Sequence, residues 1–223
     1  MHSEIAFILD RSGSMQSMRH AAIDGFNQFL RDQQAAADNP SLTLVLFDHE
    51  ILTLHDSVPV AEICLLDEDT FVPRGSTALL DAIGDTIDRL GKRFSSLPPQ
   101  QQPQHVAVAI LTDGEENSSV RFTWQDIAKR IKHQSENYSW EFLFLGAGID
   151  AIATAAKINI AAHNSATYLN DGHGIHAASQ AASYCMSSSR KIRRGDATAR
   201  DRELHARSMD EVVREEDQKR RGK

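Results

Sequence analysis

Several features that mark particular protein classes are scarce or missing in this sequence. Only two of its 223 residues are cysteines, Cys64 and Cys185, and they lack the spacing of a metal-binding cluster. They predict reduced thiols rather than a disulfide framework, which favours a cytoplasmic location. No apolar run approaches the roughly 20 residues that a transmembrane helix needs. The N-terminal residues lead directly into a predicted strand, so we expect no signal peptide.

An excess of positive charge is also missing. Lys and Arg number 24 against 31 Asp and Glu, which gives a net formal charge of -7. Residues 1–189 carry -11 of this charge, whereas residues 190–223 carry +4. Because an acidic body repels nucleic-acid phosphates, nucleic acid is not the expected partner. We predict one domain over residues 1–190 and a charged tail, helical or disordered, over residues 191–223 that serves docking or self-association and is dispensable for folding.

Apolar, β-branched runs alternate with helical patterns along the chain, which indicates an α/β fold with a parallel sheet. The turn Asp48-His49-Glu50 joins two of these runs and predicts an antiparallel hairpin. Strands are predicted at residues 4–10, 42–47, 51–54, 106–112, 140–145 and 166–169. Helical patterns cover residues 15–30, 77–94, 124–134, 150–157 and 177–186.

Oxygen-bearing side chains stand out in three places, two of them where predicted strands end. Asp10, Ser12 and Ser14 follow the first strand, Thr77 precedes a helix, and Asp113 follows the apolar strand at 106–112. Loops at the carboxyl ends of parallel strands gather at one edge of the sheet, where ligands bind. These five side chains offer only hard oxygen ligands, which suit Mg²⁺ or Mn²⁺. Because only two are carboxylates, a bound cation keeps residual positive charge and can capture an external carboxylate.

The pattern Asp-x-Ser-x-Ser, then Gly-Ser-Thr, then Thr-Asp-Gly resembles the metal-ion-dependent adhesion site (MIDAS) of von Willebrand factor A (vWA) domains. The resemblance covers about residues 3–170 and is nearest to stand-alone bacterial proteins of that family. It implies a doubly wound, Rossmann-like α/β fold: a mainly parallel sheet with one antiparallel edge strand and helices on both faces.

The resemblance also implies roles for single residues. Ser12, Ser14 and Thr77 would bind Mg²⁺, or Mn²⁺ or Ca²⁺, through their hydroxyls, and Asp10 and Asp113 would act through bound water. A Glu or Asp of a partner protein would complete the coordination. The implied function is a cytoplasmic protein-binding module and not an enzyme.

Each part of this pattern also has a purely structural interpretation. Ser14 and Thr77 occur where helix N-caps are expected, and Asp113-Gly114 is a common turn. We favour the metal site because three such parts occur in the family's order, each at a predicted junction with a helix. Glu115 and Glu116 lie either at the rim of the site or in a solvated loop, and the sequence does not distinguish these two interpretations.

Three other patterns suggest different chemistry. A carboxylate at Asp10 resembles the nucleophile of haloacid-dehalogenase-type phosphatases, but Ser12 occupies the position of their second aspartate, the general acid. Residues 146–151 match a dinucleotide-binding fingerprint, although the further strand–helix units of such a domain are missing, so a tight turn is favoured. His163 and the pair His173 and His176 have the composition of a transition-metal site, but exposed histidines are the favoured interpretation.

Overall fold

A single six-stranded sheet organises the computed structural model, which describes residues 2–148 and 150–222. Its strands are β1 (Ser3–Asp10), β2 (Ser41–Phe47), β3 (Ile51–Pro59), β4 (His105–Thr112), β5 (Glu141–Ala147) and β6 (Ser165–Tyr168). Their order across the sheet is β3-β2-β1-β4-β5-β6. All neighbours pair in parallel except β2 and β3, which are antiparallel. The predicted fold class, with its antiparallel edge strand, is confirmed.

Helices cover both faces of this sheet. They are α1 (Arg19–Gln34), α2 (Leu79–Ser95), α3 (Trp124–Tyr138), α4 (Ala151–Lys157), α5 (Gly172–Arg194), α6 (Ala199–Ala206) and α7 (Met209–Arg221). Side chains of a strand alternate between faces, so Phe7 and Leu9 of β1 join one apolar core while Ala6 and Ile8 join the other. Helices α1, α5 and α7 pack on the first face, and α2, α3 and α4 pack on the second.

The edge strand β3 is longer than the run of residues 51–54 predicted for it. It continues to Pro59 across a bulge, where the pairing register with β2 shifts and Ser57 has a φ of 58°. Polar residues within this stretch hide the strand pattern. The hydroxyl of Thr43 in β2 accepts a hydrogen bond of 2.9 Å from the Ser57 amide, which holds the bulge in place.

The C-terminal part of the chain is helical in the structure, with α5 running across residue 190 as far as Arg194. Met209, Val212 and Val213 of α7 are buried in the core that contains α1 and α5. Three apolar residues at spacings of three and four form one narrow stripe, which suffices to pack a helix against a core. The division of the chain at residue 190 stays a prediction, which removal of α7 would test. Within the described residues, none of the helices has the length and apolar character that a bilayer requires.

Candidate functional site

The candidate site lies at the carboxyl ends of β1 and β4, two neighbouring strands in the middle of the sheet. From β1 the chain crosses to β2 on one side, and it later returns to β4 on the other side. This is the switch point at which the loops of a doubly wound sheet diverge and leave a crevice. Asp10 is the last residue of β1, and Asp113 directly follows β4.

Asp10 is fully buried and receives hydrogen bonds on both carboxylate oxygens. Thr112 Oγ1 donates to its Oδ2 at 2.5 Å, and the Ser12 amide donates to its Oδ1 at 2.7 Å. Burial raises the pKa of Asp10 to about 6, an effect to which Asp113 adds and which these hydrogen bonds oppose. The carboxylate is thereby fixed in one orientation at the base of the site.

The hydroxyl groups converge above Asp10. Ser12 Oγ lies 3.1 Å from Ser14 Oγ, and Ser14 Oγ donates to Asp113 Oδ1 at 2.7 Å. A Cβ added at Gly114 would lie 3.2 Å from Thr77 Oγ1 and 3.7 Å from Ser14 Oγ, so these two hydroxyls meet over that glycine. The structure therefore brings together all five side chains that the sequence singled out.

One oxygen of this cluster has no partner among the described residues. Asp113 Oδ2 is buried and receives no hydrogen bond, and neither Asp10 nor Asp113 forms an ion pair within the described chain. Burial raises the pKa of Asp113, and the hydrogen bond from Ser14 opposes that rise. Two buried carboxylates without a cation are costly. Their oxygen-only surroundings therefore fit a hard divalent cation.

Hydrogen bonds from backbone amides join the loops that carry these side chains. The Gly13 amide donates to the Gly75 carbonyl at 3.1 Å. The Thr77 amide donates to Asn117 Oδ1 at 2.9 Å, while the Asn117 amide donates to the Thr77 carbonyl at 3.1 Å. Gly75 has a φ of 64°, and a Cβ there would lie 2.1 Å from His49 Nδ1. Only glycine allows this loop to pass so close to the β2–β3 turn.

A cluster of charged side chains lies beside the site, and the sequence does not predict it. Asp48 Oδ2 lies 3.1 Å from Arg11 Nε and 2.9 Å from Arg74 Nε, and the Asp48 carbonyl accepts a hydrogen bond of 2.8 Å from the Ala78 amide. Asp48 is fully buried and connects the loop after β1, through Arg11, to the loop that carries Thr77, through Arg74 and Ala78. Nothing in the spacing of these residues signals the cluster, because its members come from three separate segments.

This charged cluster also contains three candidate metal ligands. Asp48, His49 and Glu50 bring one ligand atom each within 4.8 Å of one another. Both carboxylates, however, already pair with Arg74, and Asp48 pairs with Arg11 as well. Since a cation would have to displace two guanidinium groups, we interpret the cluster as a support for the site.

The structural alternatives for the site residues can be compared with the observed helix ends. The short 3₁₀ helix Gly13–Met18 has Ser12 as its N-cap residue, and α2 has Ala78, so neither Ser14 nor Thr77 caps a helix. Glu116 accepts hydrogen bonds from the amides of Leu80, Ser118 and Ser119, which makes it a loop anchor. Glu115 is exposed.

The remaining patterns can be placed as well. Gly148 has a φ of 63° in the turn between β5 and α4, and Ile149, the next residue of the dinucleotide-like fingerprint, lies outside the described residues. His163 lies on the 3₁₀ helix Ala162–Asn164, and His173 and His176 lie on α5. Where the structure describes the chain, these three histidines do not bring their ring nitrogens within 4.8 Å of one another.

Comparisons with known proteins agree with this geometry at the level of the fold. No family model matches the sequence, and no curated protein matches it. Among solved structures, proximal thread matrix protein 1 (PTMP1) from the mussel byssus matches with a TM-score of 0.55 and 15% identity, over 82% of this chain and 45% of that one. A von Willebrand factor type A structure from Catenulispora acidiphila matches with a TM-score of 0.53 and 15% identity, over 82% and 42%.

A second PTMP1 structure, described as having a zinc-occupied MIDAS motif, matches with a TM-score of 0.53 and 16% identity, over 82% and 45%. The chain thus spans less than half the length of each of these three structures. At these identities the likeness concerns the fold. This chain has the fold of vWA domains, as the resemblance of its sequence predicts.

Proposed function

We propose that this chain is a protein-binding module that captures an acidic side chain of a partner through a divalent cation. The cation would be held by Asp10, Ser12, Ser14, Thr77 and Asp113. One observation carries the proposal: Asp113 Oδ2 is buried without a partner in the described chain, beside a cluster of converging hydroxyls. A bound cation would satisfy that oxygen, and no neighbouring side chain that the structure describes does so.

The donor set determines which cation fits and what it would do. Carboxylate and hydroxyl oxygens suit Mg²⁺, Mn²⁺ or Ca²⁺ rather than a soft metal. When bound, such a cation supplies positive charge and an exchangeable coordination position for an external carboxylate. Ser12, Ser14 and Thr77 are neutral, so the two aspartates alone would balance its charge. Without it, Asp10 and Asp113 present negative charge to an acidic partner, so we propose that binding depends on the cation.

A phosphatase reaction is the alternative function, and no observation favours it. Both oxygens of Asp10 already accept hydrogen bonds, from Thr112 and from the Ser12 amide, which lowers the nucleophilicity of the carboxylate. Ser12 lies where that reaction needs a general acid. We therefore propose a binding module without catalytic residues. The cytoplasmic location remains part of the proposal, and Cys64 and Cys185 are both free thiols in the structure.

The proposal can be tested with Mn²⁺, whose electron paramagnetic resonance signal reports binding directly. We expect one site in the wild-type chain and none in the double variant Ser12→Ala/Ser14→Ala. Added acetate, a small carboxylate that resembles the end of an Asp or Glu side chain, should displace water from bound Mn²⁺ and lower the relaxation enhancement of water protons. Glu115→Gln, which removes an exposed carboxylate next to the site, is the matched control and should bind Mn²⁺ as the wild type does.

Partner capture provides the second part of the test. Immobilised wild-type chain should retain protein from a cell extract in Mn²⁺ and release it in EDTA, whereas Asp10→Ala should retain none in either buffer. Retention of the same protein in EDTA would contradict a cation-dependent mechanism. Mn²⁺-dependent hydrolysis of a phosphomonoester that is lost in Asp10→Asn would instead favour the phosphatase.

A further inference from the structure

A second group of metal-ligating side chains lies at the opposite end of the sheet. A cavity of about 230 Å³ opens beside Glu141, the first residue of β5, whereas the candidate site follows the last residues of β1 and β4. Its walls come from the start of β5, from the 3₁₀ helix that precedes β6, and from the C-terminal helices α5, α6 and α7. Sulfur and imidazole groups line it, contributed by Cys185, Met186, Met209, His163 and His205.

Two sulfur atoms in this cavity are already close together. Cys185 Sγ lies 4.0 Å from Met209 Sδ. With metal–sulfur bonds of about 2.3 Å, this separation corresponds to an S–metal–S angle of about 120°. Met209 is fully buried and Cys185 is half-buried, so the pair is shielded from bulk solvent yet reachable through the cavity. The geometry matches two ligands of one trigonal site.

The charged side chains that line the cavity each have a partner of opposite charge. Glu141 lines the cavity as a carboxylate. Burial acts to raise the pKa of Glu141, but a hydrogen bond and the charge of His105, together with hydrogen bonds from Ser189 and Arg193, lower this pKa to about 2. Arg207, the cationic side chain on the opposite wall, is paired with Glu215 at 2.6 Å. Glu141 is itself paired with Arg193 at 3.1 Å. The charges that line the cavity are therefore balanced, and its sulfur and imidazole groups decide what it can bind.

The two imidazoles enter the cavity from separate elements. His163 lies on the 3₁₀ helix that precedes β6, and His205 lies in the last turn of α6. Both histidines are exposed. In the part of the chain that the structure describes, neither forms a group with Cys185 and a further His, Asp or Glu in which the ligand atoms lie within 4.8 Å of one another. One of them has to turn inward, toward the two sulfurs, to act as a third ligand. An exposed histidine has the rotational freedom to do so.

We propose that this cavity binds one Cu(I) ion through the Cys185 thiolate and the Met209 thioether, with His163 or His205 as the third ligand. Thiolate, thioether and imidazole donors in one site select this soft cation, unlike the oxygen donors around Asp10. On binding, the Cys185 thiol releases its proton to solvent, and copper stays in the +1 state. The inference is independent of the proposed adhesion site, since the two sites share no residue.

The test uses the full chain carrying Cys64→Ser, so that the exposed second thiol does not contribute. Under anaerobic conditions with ascorbate, Cu(I) is titrated in competition with the chromophoric chelator bicinchoninate. We expect one equivalent of Cu(I) to be retained by this chain and by its Asp10→Ala derivative. Adding Cys185→Ser should abolish retention, and adding Met209→Leu, which keeps the volume but removes the sulfur, should weaken it at least about tenfold.

X-ray absorption at the copper edge should then show two sulfur ligands in the parent chain and one in Met209→Leu. If circular dichroism shows that Cys185→Ser does not fold, the test relies on Met209→Leu and on the double variant His163→Gln/His205→Gln. The double variant should also weaken the retention of Cu(I). The proposal is overturned by an absence of Cu(I) retention, by equal retention in Cys185→Ser, or by copper coordinated only through nitrogen and oxygen.

Discussion

Ser14 Oγ donates a hydrogen bond of 2.7 Å to Asp113 Oδ1, although the two residues are 99 positions apart in the chain. The bond joins the loop after β1 to the loop after β4 across the middle of the sheet. It leaves Asp113 Oδ2 buried and without a partner in the described chain. A single aspartate thus links the two loops through one carboxylate oxygen, and its other oxygen is the ligand that we propose for the cation.

We expect Asp113→Asn to separate the effects of the cation from those of folding. Without metal, the variant should be at least as stable as the wild type, because it removes a buried charge that has no counterion. With Mg²⁺ at 100 times its dissociation constant, the wild type should gain about 2.7 kcal/mol and the variant almost nothing. Urea unfolding with and without Mg²⁺ measures both effects. A full Mg²⁺ stabilisation of Asp113→Asn would contradict the proposed ligand role.

Asp48→Asn tests the charged cluster that braces the site. The substitution leaves Arg11, which is nearly buried, without its carboxylate, so we expect a loss of about 3 kcal/mol in the free energy of unfolding. Because the Thr77 loop loses a support, the affinity for Mn²⁺ should also fall about tenfold. Glu50→Gln, at an exposed position of the same turn, should change both quantities little. An Asp48→Asn variant with wild-type Mn²⁺ affinity would show that the cluster does not orient the site.

The buried carboxyl group of Glu4 should make stability depend on pH. Burial raises the pKa of Glu4 to about 7, against hydrogen bonds from Ser57 and Thr43 that lower it. The folded chain therefore binds the Glu4 proton more tightly than the unfolded chain. The contribution of this proton to the free energy of unfolding is full below pH 4.5, the ordinary pKa of Glu, and is lost as the pH rises to 7. The loss amounts to at most about 3 kcal/mol.

Glu4→Gln should remove this part of the pH dependence. Urea unfolding of wild type and variant between pH 4.5 and pH 8 isolates it, because every other titrating group, Asp10 included, is common to both chains. Glu62→Gln, at an exposed carboxylate, serves as the control and should unfold in parallel with the wild type at every pH. A constant difference between Glu4→Gln and the wild type would mean that Glu4 titrates normally.

Removal of α7 tests whether the C-terminal segment belongs to the folded core. The charge pattern predicts that residues 191–223 are dispensable, whereas Met209, Val212 and Val213 are buried against α5 and the sheet. We expect a chain that ends at residue 206 to be markedly less stable or insoluble, since it exposes that apolar surface. Met209→Ala alone should cost about 2–5 kcal/mol. A truncated chain with unchanged urea unfolding would support the predicted boundary near residue 190.

A matched variant distinguishes burial from surface charge in α7. Arg221 pairs with Asp171, the N-cap residue of α5, at 2.7 Å, and both side chains are exposed. Because exposed ion pairs contribute little, Arg221→Ala should cost less than about 1 kcal/mol. If Arg221→Ala lowered the free energy of unfolding more than Met209→Ala does, the ion pair and not apolar packing would be what holds α7 against the core.

The sequence by itself predicts the strands apart from the second half of β3, the hairpin turn at Asp48-His49-Glu50, and the candidate site residues Asp10, Ser12 and Asp113, because each has a local signature. Apolar runs mark β1 and β4, and polar residues directly after them mark the edge where ligands bind. A local sequence pattern does not show which distant residues meet in the folded chain. Only the tertiary structure pairs Asp113 with Ser14, surrounds Asp48 with arginines from two other loops, and packs α7 on the core.

The same limit applies to the cavity near Cys185. The sequence shows two isolated cysteines and scattered histidines, and no spacing links Cys185 to Met209 or to His205. Their proximity depends on how α5, α6 and α7 fold back against β5 and β6. The side chains around Asp10 also come from three segments, but each segment has its own polar pattern beside a predicted strand or helix, so the sequence predicts them. The residues near Cys185 have no such local pattern, and only packing brings them together, since burial of apolar surface determines which segments meet.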